Sequence, residues 1–175
     1  MRVLISRALL TGAAAGFAAA PLAAAEIKVK VEVPKLTVAE YHRPYVAMWV
    51  EKPDQSVAAN LAVWYDVKLK DNEGTKWLKD MRQWWRRTGR SLDMPVDGLS
   101  SATRAPGEHQ LSFPEGKSTL GTLAPGKYEL VVEAAREVGG RELLRVPFEW
   151  PPKAAQNLKA QGEHELGALV VDLAP

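Results

Sequence analysis

Several short runs in which apolar residues alternate with polar ones decide what this chain can fold into. In residues 26–33, Ile27, Val29, Val31 and Val33 occupy every second position, which is the period of a β-strand with one buried face. Pro and Gly turns separate this run from later ones, so the pattern predicts a mainly β protein. The later runs of this kind are at 61–69, 127–138, 141–150 and 165–173.

Two further segments complete the predicted strands. Residues 41–51 are rich in aromatic and β-branched residues, with Pro44 near the start of the strand, and 109–113 is a short strand. The pair Gly139-Gly140 predicts a two-residue hairpin turn with a positive φ at either glycine, and 153–162 reads as a polar connection. Seven or eight short strands with one inserted short helix are typical of an antiparallel immunoglobulin-like β-sandwich, with a small β-barrel as the alternative.

One segment has the period of a helix instead of a strand. Gly89 marks the predicted end of this helix. A Trp-rich stripe of this kind is more often core, and a basic stripe more often a solvated face. The apolar face carries Trp77, Leu78, Met81, Trp84 and Trp85, and the opposite face carries Lys76, Lys79, Arg82 and Arg86.

The N-terminus has the features of a secretory signal peptide. Arg2 and Arg7 precede an apolar run at 8–22, and three alanines follow it at 23–25. The apolar run is short and contains Gly and Pro, which makes it a poor membrane-spanning helix. We therefore predict that residues 1–25 are cleaved, that 26–175 form a single domain, and that the product is a soluble periplasmic protein that does not span the membrane.

The charge and residue types exclude several classes of function. The signal peptide holds two of the 23 basic residues and none of the 21 acidic ones, so the mature chain has 21 of each. A balanced charge argues against a nucleic-acid-binding protein. The absence of Cys excludes disulfides, thiolate nucleophiles and thiol-ligated zinc. The histidines His42, His109 and His164 are scattered, so no metal site is predicted, and no hydrolase or nucleotide motif is present.

Four segments together resemble an uncharacterised bacterial family of predicted periplasmic proteins. They are the aromatic segment at 41–51, the Trp-rich segment at 77–86, the loop at 102–107 and the turn at 125–128. The resemblance covers nearly the whole mature chain. It implies a periplasmic all-β domain and supplies no established activity.

The loop at 97–103, with the sequence DGLSSAT, resembles the acceptor motif D-G-x-S/T-G-A-T of bacterial flavin transferases. That resemblance implies that Thr103 receives FMN through a phosphoester bond. It also implies a periplasmic flavin transferase and a membrane or periplasmic redox partner. Ser101 stands where the motif has Gly, and a positive φ at that position would be disfavoured for Ser.

Several residues are candidates for holding the flavin implied by the motif. Small neighbours of Thr103 would keep the approach to its hydroxyl open, arginines would pair with the phosphate, and indoles would stack on the isoalloxazine ring. The other interpretation of the loop is a plain connection in which Asp97 bonds to its own turn. The full candidate set is Thr103, Asp97, Gly98, Ser100, Ala102, Arg104, Trp84, Trp85 and Arg86.

The sequence leaves two hypotheses for function. The first is an exported module that carries covalent FMN on Thr103 for electron transfer outside the cytoplasm. The second is a cofactor-free binding module, accessory to a membrane complex, that uses the Trp/Arg helix as its contact surface. Neither predicts an enzyme in its own right, and a hydrolase ranks last because no nucleophile and base occur in a recognisable pattern.

Overall fold

The computed structural model describes residues 24–175, so most of the predicted signal peptide lies outside the described residues. The strands are β1 (Glu26–Val33), β2 (Tyr45–Glu51), β3 (Val57–Tyr65), β4 (Ser100–Ala102), β5 (Gly107–Pro114), β6 (Gly126–Ala135), β7 (Arg141–Trp150), β8 (Gln156–Gln161) and β9 (Ala168–Ala174). Between β3 and β4 the chain forms a 3-10 helix (Lys70–Asp80), the α-helix α1 (Arg82–Arg87) and a 3-10 turn (Gly89–Ser91).

The strands form two separate sheets, which confirms the predicted β-sandwich and not the β-barrel. One sheet has the order β5-β1-β9-β8 and the other the order β4-β3-β2-β6-β7. All pairs are antiparallel except β3 and β4, which run parallel. The prediction of a wholly antiparallel fold was wrong at this one pair, because the helical segment between β3 and β4 carries the chain back to the opposite end of the sheet, where β4 enters in the same direction as β3.

The alternating residues of the strands fill the core between the sheets. Ile27, Val29 and Val31 of β1 are fully buried and pack with Met48 of β2 and Leu130 of β6. The polar residues between them in β1 lie on the outer face, as the period of two requires. Burial of apolar side chains stabilises the fold by roughly 25 cal/mol per Å².

A second apolar cluster covers the outer face of the five-stranded sheet. All seven residues of β2 are buried, because Met48 points into the sandwich while Ala47 and Trp49 point outward. The helical segment between β3 and β4 packs on this outer face through Leu78, Met81 and Trp84. The two clusters explain why β2 lacks the polar alternation of β1.

The helical segment is two helices and not the single predicted one. Met81 has non-helical backbone angles (φ −76°, ψ 72°) and separates the 3-10 helix from α1. The carboxylate of Glu133 in β6 accepts hydrogen bonds from the backbone N–H groups of Gln83 (3.0 Å) and Trp84 (2.7 Å). These donors lie at the start of α1, so a buried carboxylate from the sheet fixes where a new helix begins.

Four boundaries differ from the sequence predictions. The predicted strand at 61–69 is β3 at Val57–Tyr65, and the last strand begins at Ala168 and not at 165. The polar connection at 153–162 contains β8, an edge strand whose outward residues are polar because they face solvent. The β6–β7 loop spans five residues, 136–140, and its positive φ (52°) belongs to Val138 and not to either glycine.

Gly89 allows Trp84 to pack, and we predict that Gly89→Ala destabilises the protein. A Cβ at this position would lie 2.5 Å from Cζ3 of the fully buried Trp84 ring. Overpacking of this kind costs about 1–3 kcal/mol, which thermal or urea unfolding would detect. Gly126→Ala is the control, because its Cβ would meet Tyr128 at an ordinary 3.8 Å. Equal stability of the two variants would contradict the prediction.

Candidate functional site

The parallel pairing of β3 with β4 brings two polar side chains together at one end of the sheet. Tyr65 and Ala102 are the last paired residues of the two strands. Asp66 and Thr103 follow these residues in the chain, so both lie just beyond the paired strands at the same end of the sheet. The Thr103 hydroxyl is 3.4 Å from Asp66 Oδ1, and the Tyr45 hydroxyl is 3.4 Å from Asp66 Oδ2.

Thr103 and Asp66 lie in a recess of about 380 Å³. The recess combines aromatic rings, cations and carboxylates, a mixture that suits a polar ligand with an aromatic group. Trp77 contributes an indole that is 39% exposed. The lining residues are Tyr41, His42, Arg43, Tyr45, Asp66, Leu69, Trp77, Asp80, Thr103, Ala135, Arg136 and Glu137.

Tyr45 stays protonated beneath Asp66 over the physiological pH range. Burial, together with the charge of Asp66, raises the pKa of Tyr45 to about 12. The phenol therefore remains a hydrogen-bond donor directed at Asp66, while the second carboxylate oxygen faces Thr103. The arrangement leaves Asp66 as the one carboxylate of the recess that contacts the Thr103 hydroxyl.

Arg136 forms the opposite wall of the recess. Its side chain is 6% exposed and makes two hydrogen bonds to Glu165, at 2.8 and 3.1 Å. This pairing raises the pKa of Arg136, and burial raises the pKa of Tyr41. Arg136 Nη1 and the Tyr41 hydroxyl are buried without hydrogen-bond partners among the described residues. Buried polar groups without partners are uncommon in folded proteins.

The candidate loop forms a turn that leads into β4. Leu99 N–H donates to the carbonyl of Val96 (3.2 Å), and Gly98 has φ +73°, as the third residue of a type II turn requires. Asp97 and Gly98 are exposed, and the Ser100 hydroxyl accepts the Val96 N–H at 2.9 Å.

Ser101 and Ala102 belong to β4, opposite Trp64 and Tyr65 of β3. Position 101 does not adopt the positive φ that would be disfavoured for Ser, because its backbone is part of a strand. Ser101 therefore imposes no backbone strain on the loop.

The helix candidates Trp84, Trp85 and Arg86 do not lie around Thr103. Trp84 is fully buried, and its indole N–H donates to Asn60 Oδ1 at 3.0 Å, so this ring is core. Trp85 and Arg86 line a different recess, and the Arg104 guanidinium lies 5.4 Å from the centre of the Trp64 ring. The aromatic residues that line the Thr103 recess are Tyr41, Tyr45 and Trp77.

The recess that holds Trp85 and Arg86 is strongly basic. Its volume is about 360 Å³, and its lining residues are Lys79, Arg82, Gln83, Trp85, Arg86 and Arg141. A third recess of about 470 Å³ lies between the two, since it shares Trp77 and Asp80 with the Thr103 recess and Arg82 and Arg141 with the basic one. These three adjoining recesses lie along the helical segment and the β6–β7 loop, and together we call them the groove.

The three histidines make separate contacts. His42 lies between Glu40 (3.0 Å) and Glu137 (3.5 Å), and His109 contacts the Trp64 ring. The backbone N–H of His164 donates to Glu142. Residues 24–175 contain no group of three or more His, Cys, Asp or Glu side chains placed to hold a metal ion.

Sequence analysis missed Asp66, Tyr41 and Arg136 as site residues. Each lies at the end of a different strand or loop, and local spacing carries no signal of their convergence. The one available signal was the sequence 62–66, AVWYD, in which an acidic residue ends an otherwise apolar strand. Such a residue at the end of a strand is a reasonable candidate for a site.

Glu142 fixes the position of the loop that carries Glu165. Because Glu165 bonds to Arg136, Glu142 also helps to position Arg136. Its carboxylate accepts the backbone N–H groups of the four residues Glu163, His164, Glu165 and Leu166. Burial raises the pKa of Glu142, but these four donors favour the charged form and hold the pKa below its ordinary value of 4.5.

We predict that Glu142→Gln lowers stability at neutral pH and flattens its acid dependence. Because the folded-state pKa of Glu142 is depressed, its contribution is present above pH 4.5 and is lost as pH falls through the folded-state value. Urea unfolding of native and variant chains between neutral and acidic pH measures the difference. The exposed Glu149→Gln is the control. A native–variant difference that stays constant as the solution is acidified would refute this role.

Comparison with known proteins shows the family. No curated protein and no solved structure matches the chain. In the part of the chain that the structure describes, no helix is long and apolar enough to cross a membrane. The family model described as "Predicted periplasmic protein (DUF2271)" matches residues 26–168, which confirms the periplasmic location predicted from the sequence. The chain therefore belongs to this family of predicted periplasmic proteins.

Proposed function

We propose that the protein is a periplasmic electron-transfer module that carries FMN in phosphoester linkage on Thr103. One observation carries the proposal: the hydroxyl singled out by the sequence of the loop lies in a recess with exposed aromatic and cationic groups. FMN would supply the redox chemistry, and the protein would supply its position and electrostatic environment.

The recess residues fit the chemical groups of FMN. Arg43 is exposed and makes no ion pair among the described residues, so it is available to a phosphate. Trp77 and Tyr41 offer aromatic faces to the isoalloxazine ring. Ala102 is small and exposed, which leaves the approach to the Thr103 hydroxyl open.

The attachment step needs an activated donor, and a flavin dinucleotide provides one. The Thr103 oxygen attacks the flavin-side phosphorus, a P–O bond to Thr103 forms, and the pyrophosphate P–O bond breaks. The adenylate half leaves with the bonding electron pair. Asp66 receives the hydroxyl proton, because its Oδ1 is the carboxylate oxygen 3.4 Å from Thr103 Oγ1. A flavin transferase would bind the donor and place it against the recess.

The first test is the intact mass of the chain co-produced with a periplasmic flavin transferase. We expect the native chain to gain one FMN group, Thr103→Ser to gain it as well, and Thr103→Ala to gain none. Thr103→Ala leaves the fold intact because the side chain is only partly buried. Absence of FMN on the native chain, or its presence on Thr103→Ala, would refute the proposal.

The second test concerns the base. Asp66→Asn should slow FMN attachment by about tenfold or more, since general-base catalysis contributes about 10²–10⁴-fold. Asp80→Asn is the matched control, because Asp80 lines the same recess without bonding to Thr103. The rates are measured from mass spectra at timed intervals. A rate for Asp66→Asn equal to that of Asp80→Asn would exclude Asp66 as the proton acceptor.

A further inference from the structure

The basic recess at the far end of the groove is lined by cations and by no carboxylate. Lys79 comes from the end of the 3-10 helix, Arg82 and Arg86 from α1, and Arg141 from the start of β7. Residues from three elements thus present four positive charges to one recess of about 360 Å³. The mature chain is balanced in charge overall, so this concentration is local.

Two of these cations are held in place by their neighbours. Arg141 Nη1 is 2.6 Å from Glu133 Oε1, and Arg86 Nη2 is 2.7 Å from Gln83 Oε1. The Glu133 carboxylate already pairs with Arg141 and accepts two backbone N–H groups, so it does not neutralise the other cations of the recess. Lys79 and Arg82 make no ion pair with any described residue.

An indole lies among the cations. Trp85 is partly buried and packs against the Trp84 ring with 6.4 Å between the ring centres. Trp84 is fully buried, so it gives Trp85 a rigid support. Trp and Arg side chains of this kind are enriched at the centres of protein interfaces.

We propose that this basic recess docks an acidic segment of a partner protein. Arg82 and Arg86 lie four residues apart on α1, which places them about 6 Å apart along the helix axis. In an extended chain, alternate residues on one side repeat about every 6.6 Å. A segment with Asp or Glu at alternate positions therefore matches the two guanidinium groups in register, and Lys79 and Arg141 add two further cations to the same recess.

The spread of the charges favours a chain with several carboxylates over one small anion. The cations come from separate elements, and the recess opens into the groove instead of closing around a point. Along that groove lie Asp80 and Glu137, which would repel an acidic segment and confine it to the basic end. The docked segment would thus lie next to the Thr103 recess without filling it.

The docking site does not depend on flavin attachment. None of its lining residues belongs to the Thr103 recess, and they are set by α1 and β7. Thr103→Ala should therefore bind an acidic segment as the native chain does. This separates a failure of the docking site from a failure of the flavin proposal.

An oligoglutamate peptide is the probe, and calorimetry on the unmodified mature chain is the measurement. We expect binding that weakens as salt rises, because screening reduces attraction between exposed charges. Arg82→Glu combined with Arg86→Glu should weaken binding by about tenfold or more, since like charges then face the peptide. Peptide binding should also change the fluorescence of the native chain and change it much less in Trp85→Phe.

The matched control is Lys153→Glu combined with Lys159→Glu, which changes the net charge equally. Both lysines are exposed, and neither lines the basic recess. Binding that survives in this control and is lost in the Arg82/Arg86 variant supports the docking site. An equal loss in both variants would show general charge attraction and overturn it. Tighter binding of inorganic pyrophosphate than of the peptide would also overturn it, by showing a site for small anions.

Discussion

The carboxylate of Glu133 joins the helical segment to the five-stranded sheet. It is fully buried on the outer face of the five-stranded sheet, where a charge without partners would cost several kcal/mol. Three donors compensate for that cost: the backbone N–H groups of Gln83 and Trp84 and the guanidinium of Arg141. Because two of the three belong to the start of α1, the compensation is available only when the helical segment lies on the sheet. The packing of α1 on the sheet, which buries Trp84, and the compensation of the buried Glu133 charge thus depend on each other.

The two-sided burial of the sheet has a direct consequence for the site. Once the helical segment covers β2 and β3, the chain must return to the sheet edge, and it does so as the parallel strand β4. The parallel ladder puts the residues that follow β3 and β4 side by side. The contact between Asp66 and Thr103 therefore follows from topology and needs no special loop conformation. A site built on strand ends is held more rigidly than one on a free loop.

The sequence predicts the layers of this fold better than the helical segment or the site. The alternation of apolar and polar residues is a local pattern, and β1 shows it in the structure as alternating burial, so the sandwich could be predicted. The break at Met81 could not be predicted, because Glu133, which accepts the N–H groups at the start of the new helix, lies about fifty residues away in sequence. The groove residues have the same difficulty: Tyr41 and Arg136 meet only in the folded chain. Thr103 could be singled out in advance because its neighbours in sequence carry the pattern, whereas the rings beside it come from elsewhere.

The segment from Trp77 to Arg82 belongs to both ends of the groove. Trp77 and Asp80 line the Thr103 recess, and Arg82 lines the basic one. A shift of this segment on the sheet would alter both recesses at once, whereas a change at Thr103 or at Arg86 affects only one. Met81, fully buried between the two ends, and the hydrogen bonds of Glu133 oppose such a shift. A partner docked at the basic end would therefore contact the same segment that forms one wall of the Thr103 recess.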